Sequence, residues 1–222
     1  MNLAKHQTFF DPAKNLNDPI HIIGCGAIGS ILAEGLTRLG ITGLHLYDFD
    51  IVEEHNLTNQ LFTHPDLYKL KVTALAEHLQ AINPEAKPKL YEDGWKPGVL
   101  LKGFVFLCVD SIELRKTIVT ENIINAAVKA FFDFRMRLTD AQHFACVNNP
   151  AATKVLLKSM DFTDEEAKKE TPVSACNTTL SVSPTVRTIV SLGIANFINA
   201  LLEKELKKCI LIDAFSFSLD AF

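Results

Sequence analysis

The chain has 222 residues, of which 48% are apolar and 22% charged, and a formal net charge of −4. This length and apolar content suit one domain spanning 1–222 with a sizeable core, and the slightly acidic balance argues against nucleic acid, which calls for a basic surface. Residues 1–14 lack an apolar run of signal-peptide length, and the apolar stretch 185–202 is interrupted by Arg187, Asn196 and Asn199, so a cytoplasmic location without a membrane span is expected.

In chain order, Ile20 to Ile23 reads as a strand that feeds the loop Gly24-Cys25-Gly26-Ala27-Ile28-Gly29. Ser30 to Leu39 follows with helical spacing, Gly40 stops it, and Gly43 to Tyr47 is a second strand that delivers Asp48 at its C-terminal end. A helix is predicted from about Asp66 to Asn83 on the stripe Leu67, Leu70, Leu75, Leu79 and Ile82, ended by Asn83-Pro84, with a short strand near Pro88 to Tyr91.

The run Gly103 to Val109 is almost wholly apolar, as a strand buried on both faces should be, and Asp110-Ser111 follows where a helix would be capped. A helix from about Glu113 to Val128 then leads to the strand Ala130 to Phe134 and to a more irregular half containing strand-like His143 to Val147. Acidic Asp161 to Glu170 reads as a solvated helix or linker, Ser181 to Lys207 as a long helix, and Cys209 to Leu219 as a closing strand or hairpin. The five cysteines, Cys25, Cys108, Cys146, Cys176 and Cys209, contain no C-x-x-C pair, so neither a disulfide framework nor a paired-ligand zinc site is indicated. Cys25, Cys108 and Cys146 read as buried, inert thiols.

The loop G-x-G-x-x-G between a strand and a helix lets backbone approach a phosphate and points free N–H groups at it. An acidic residue about twenty positions on, here Asp48, suits a ribose hydroxyl. These features alone fit a dinucleotide-binding oxidoreductase and an ATP-binding enzyme equally well. The two are separated by Asp48-Phe49-Asp50, the run Asn56-Leu57-Thr58-Asn59-Gln60, Lys71 inside a helix, and Asp110 at a strand tip.

Over residues 20–115 this pattern resembles the ThiF/MoeB/E1 family of adenylating enzymes, which activate ubiquitin-like and sulfur-carrier proteins. The resemblance implies an α/β fold, a Rossmann-like doubly wound, mostly parallel sheet with an antiparallel C-terminal extension. It also implies ATP and Mg2+, attack of a carrier's C-terminal carboxylate on the α-phosphate, and a homodimer. Gly24, Gly26, Ala27, Ile28 and Gly29 would then cradle phosphate, with Asp48 gripping the ribose. Asp50, Asn56 and Gln60 belong to the same binding set, Asp50 either as a ligand or only by ordering its loop, and Asn56 either holding the loop or touching phosphate.

By the same resemblance Lys71 reaches the phosphates, the alternative being a surface lysine on an amphipathic helix. Asp110 matches the magnesium-associated aspartate, or caps the next helix. Arg115 matches a family position and is expected in a structural ion pair.

Three departures qualify this. Asn59 stands where the family has a phosphate-contacting arginine, and a neutral donor binds phosphate more weakly. The family's other phosphate arginine comes from near the N-terminus, often that of a partner subunit; no arginine precedes Arg38, and Lys5 or Lys14 could substitute. The paired zinc cysteines of many relatives are absent.

Asp133-Phe134-Arg135-Met136 and Cys176-Asn177-Thr178 further resemble a bacterial, phage and plasmid ThiF-like branch. Cys176 falls near the position of the cysteine that, in some relatives, accepts the activated acyl group. An unreactive loop thiol is its other reading, since no His or Lys adjoins it in sequence. Two other functions stay open: a weakened or binding-only relative, and an NAD(P)-dependent oxidoreductase.

Overall fold

The computed structural model describes residues 1–173 and 180–222. After a short helix α1 (Pro12–Asn15), the chain runs β1 (Ile20–Ile23), α2 (Ala27–Arg38), β2 (Leu44–Tyr47), α3 (Lys71–Ile82), β3 (Lys89–Tyr91), β4 (Gly103–Leu107), α4 (Ile112–Glu121), β5 (Val128–Met136) and β6 (Asp140–Val147). Then come α5 (Pro150–Lys158), α6 (Asp164–Glu170), α7 (Ser183–Leu201) and the hairpin β7 (Cys209–Asp213) and β8 (Ser218–Ala221). Among the described residues no helix is long and apolar enough to cross a membrane.

All eight strands of the described residues join one sheet in the order β3-β2-β1-β4-β5-β6-β7-β8. The pairs from β3 to β5 are parallel and those from β5 to β8 antiparallel, which gives the doubly wound sheet with an antiparallel extension. The chain reverses its direction of winding between β1 and β4. Open α/β sheets take their ligands at such a reversal, beyond the C-terminal ends of the strands.

The central strands are apolar on both faces because both faces are covered. Ile22 and Phe106 join Leu32, Leu36, Leu75, Ile189 and Phe197 under α2, α3 and α7, whereas Ile23, Val105 and Leu107 join Ile118, Val119, Leu156 and Met160 under α4 and α5. Phe197 of α7 sets its ring edge against Phe104, Phe106 and Phe132, with centroids 5.1–5.3 Å apart.

Several boundaries differ from the sequence reading. The third helix starts at Lys71 rather than Asp66, because the backbone of residues 68–70 is tied to residues 51–52. Tyr68 donates its N–H to Val52, Val52 donates to Lys69, and Ile51 bridges Leu70. Tyr68 also has a φ of 69°, which a continuing helix excludes. Asp66 instead ends a 3-10 turn, His64–Asp66, and takes a hydrogen bond from His78 at 2.7 Å.

The fourth strand stops at Leu107, two residues before Val109, and α4 stops at Glu121, where Asn122 folds its side-chain amide onto Ile118 O. α5 was not anticipated. It begins at an Asn149 cap, whose side chain accepts from Ala152 N–H, with Pro150 at the first turn.

Candidate functional site

Gly24 leaves β1 with a φ of 94°, and a Cβ there would lie 2.7–2.8 Å from the backbone of Cys108 and Val109. Only glycine lets the β1 tip cross that closely over the β4 tip. Gly29 is equally constrained: a Cβ would meet Gly24 O at 1.8 Å. Gly26 is open, with nothing nearer than Gln60 Nε2 at 3.9 Å. It is the N-cap of α2 without a side-chain cap, so the first N–H groups of the helix, Ala27 and Ile28 among them, face this space with no protein acceptor among the described residues. An anion is the natural partner of such a helix end.

Asp48, delivered by β2, ties the loop together. One carboxylate oxygen accepts the Cys25 N–H at 2.6 Å and the other the Asp50 N–H at 2.9 Å. Burial pushes its pKa up, opposed by those two N–H groups and by the nearby Lys71 ammonium. Lys71 opens α3, is buried, and donates from Nζ to Asp50 Oδ2 at 2.7 Å while its N–H bonds Asp50 O at 2.8 Å. Asp50 therefore orders its loop by holding Lys71, and it keeps the ammonium beside the glycine loop.

The 3-10 turn Glu54–Thr58 places the next residues. Buried Asn56 accepts the Glu53 N–H at 2.9 Å and so closes that turn. Asn59 donates to the Ser181 hydroxyl, just ahead of α7. Gln60 lies against Gly26, and its buried Oε1 has no partner among the described residues.

Asp110 projects exposed from the tip beyond β4, with no partner among the described residues. It does not cap α4: Ser111 does, accepting from Leu114 N–H at 3.1 Å. No group of three or more His, Cys, Asp or Glu suited to a metal occurs among the described residues. A lone carboxylate fits Mg2+ that arrives with a nucleotide, because phosphate oxygens and water fill most of its octahedral positions.

Arg115 is a buried structural cation, bound to Asp133 and to backbone carbonyls. Burial raises the Cys25, Cys108 and Cys146 thiols above the usual range, which leaves them inert at neutral pH. Cys176 lies outside the described residues.

Neither Lys5 nor Lys14 approaches the glycine loop of its own chain. A Cβ on Gly40, past the C-terminal end of α2, would meet Leu3 at 2.7 Å and Pro12 at 3.2 Å, and His6 Nε2 lies 3.4 Å from Leu39 O. The N-terminal segment thus packs at the far end of a helix about 18 Å long. Within one chain, then, neither lysine stands where the resemblance places the N-terminal arginine.

The sequence profile of the ThiF family matches residues 13–222. The chain belongs to the ThiF family. Its relatives include ubiquitin-like modifier-activating enzyme 5 of Bombyx mori, 39% identical over 118 residues, a match covering 46% of this chain and 30% of that one. The Drosophila virilis protein of the same name is 32% identical over 176 residues, 66% of this chain and 42% of that one.

The crystal structure of E. coli MccB with ATP superposes with a TM-score of 0.73 at 18% identity, covering 95% of this ThiF-family chain and 64% of MccB. The chain thus spans less than half the length of these curated relatives and about two thirds of MccB. At that identity MccB speaks to the fold alone.

Proposed function

We propose that this chain is one nucleotide-binding unit of an ATP-dependent adenylating enzyme, acting on the C-terminal carboxylate of a ubiquitin-like or sulfur-carrier protein or of a peptide. The observation that carries this reading is the convergence, at the sheet's reversal point, of an uncapped helix end, a buried cation and a carboxylate without a partner among the described residues. The names of the relatives support it: several are ubiquitin-like modifier-activating enzymes, and MccB, termed a microcin C7 biosynthetic enzyme, was solved with N-formylated MccA.

In this reading the N–H groups of Ala27 and Ile28 receive phosphate, while Gly24, Gly26 and Gly29 let it approach. Asp48 accepts from a ribose hydroxyl with the lone pairs its two N–H partners leave free. A carboxylate oxygen of the substrate attacks the α-phosphorus of ATP, the bond from that phosphorus to the α–β bridging oxygen breaks, and pyrophosphate leaves, giving an acyl-adenylate. Lys71 turns from Asp50 toward the charge that grows on the leaving group. Asp110 holds Mg2+, which when bound supplies further neutralising charge at the phosphates.

ATP-dependent exchange of labelled pyrophosphate, with a carrier or peptide present, tests the proposal. Asp110→Ala and Lys71→Ala should each lower the exchange at least about 100-fold. Absence of ATP binding by calorimetry, or preference for NAD over ATP, would sink it. A weakened or binding-only relative is the second reading, and Asn59 favours it because its amide is engaged with Ser181 and brings no charge. Such a relative would bind ATP and show no exchange until Asn59→Arg restores it. A homodimer belongs to the main proposal, and light scattering decides it.

A further inference from the structure

Arg115 is the most heavily engaged buried polar side chain near the site. It lies one turn into α4 and folds back toward β4, the strand it follows. Nη1 donates to Leu107 O at 3.1 Å and to Asp133, and Nη2 donates to Val109 O. Those two carbonyls flank Cys108 at the point where the chain leaves the sheet.

Asp133 faces Leu107 across the β4–β5 ladder, is fully buried, and accepts also from Arg135 Nε at 2.6 Å. Arg135 in turn donates to Ser159 O at 2.7 Å and Ser159 Oγ at 2.9 Å, at the end of α5, and stacks over Phe144 at 4.5 Å. The cluster is thus fixed at both ends.

On the other side of Asp110, Asp164 at the start of α6 accepts from the Ser111 hydroxyl at 2.8 Å and from the Ile112 N–H. Asp110 is therefore the one residue between two clamped points, Val109 and Ser111. Its side chain is free among the described residues, and its backbone is held on each side. A single exposed carboxylate can serve a metal only if its direction is set by what lies behind it.

We propose that Arg115 is a positioning residue: its guanidinium fork fixes the carbonyls of Leu107 and Val109 and thereby the direction in which the β4 tip presents Asp110, with buried Asp133 as the counter-charge that holds the fork. A planar fork reaches two carbonyls at once, and an ammonium cannot reproduce that geometry. The part of the inference that concerns magnesium rests on the adenylation reading, while the part that concerns the backbone does not.

The test compares wild type with Arg115→Lys, which keeps the charge and loses the fork. Amide hydrogen exchange at residues 108–112 should quicken about tenfold, while exchange in β5 and α2 stays as in wild type. In calorimetry the magnesium concentration that half-saturates the ATP–metal response should rise about tenfold or more, with metal-free ATP affinity within about twofold of wild type.

Unchanged exchange at 108–112, with only a lower melting temperature, overturns the proposal, as does an unaltered magnesium requirement in a protein that binds ATP. If wild type binds no ATP the adenylation reading falls, and exchange at 108–112 alone decides the role of Arg115. Should Arg115→Lys not fold, Arg115→Gln is read in the same way. Failure of both to fold assigns Arg115 to stability and defeats the proposal.

Discussion

Asn59 occupies the position where the resemblance puts a phosphate-binding arginine, and the structure engages its amide elsewhere. One N–H goes to Ser181, so this side chain links the turn after β2 to the start of α7. Asn59→Ala should therefore destabilise the fold by about 1 kcal/mol, the usual net worth of a side-chain hydrogen bond. ATP affinity should stay within about twofold, because no charge is removed. Thermal melts and calorimetry on the same variant check both halves, and a tenfold loss of affinity with unchanged stability would make Asn59 a ligand. Sequence could not reveal this contact or the Arg115–Asp133 pair. Neither partner falls at a helical or strand interval from the other, so only the folded chain brings them together.

Among the elements, α7 contributes most to the covered face of the sheet. Its Gly193 lies where a Cβ would meet the Phe134 ring at 2.3–2.4 Å, and Phe197 fills the space between Phe104, Phe106 and Phe132. Phe197→Ala removes a wholly buried ring and should cost about 3–5 kcal/mol, read as a lower denaturation midpoint with an unchanged slope. The strands and the glycine loop were legible because β1 and β4 carry apolar residues on both faces and end in polar tips. α5 was missed although Asn149-Pro150 signals its start, because the helix is only nine residues long, with Thr153 and Leu156 alone fully buried. The early start given to α3 has another origin. Leu67 and Leu70 keep helical spacing while backbone bonds to Val52 hold Tyr68 and Lys69 out of the helix. Asp48 and Asp110 could be placed at strand tips from sequence because each directly follows a strand-like run, whereas Lys71, read inside a helix, opens α3. The remoteness of Lys5 and Lys14 from the glycine loop of their own chain was not legible, since no local pattern says against which end of α2 the N-terminus packs.

For the whole molecule, acid should be the main threat to stability. Burial drives His21 and His143 down to about 4 from an ordinary value of 6.5. Between these values the unfolded chain binds more protons than the folded one, so stability is full above about pH 6.5 and is lost as pH falls toward 4. Each histidine contributes up to about 3 kcal/mol of that loss. Asp48, with its carboxyl pushed up by burial, works in the opposite direction near the lower end. Urea titrations at pH 7, 5.5 and 4.5 measure the slope. A flat profile would mean that neither histidine is neutral and enclosed in solution.

The sheet order has one more consequence, which concerns synthesis. β1 lies between β2 and β4, and Ile20 pairs with both Leu44 and Phe104. A nascent chain that has emerged only as far as β3 therefore holds β1, with its three isoleucines, as an open edge. Until residue 107 leaves the ribosome, the strand that bears the glycine loop is a template for pairing with another chain. The crossing of Gly24 over Cys108 that shapes the candidate site is thus also the step that withdraws this edge from the surrounding cell.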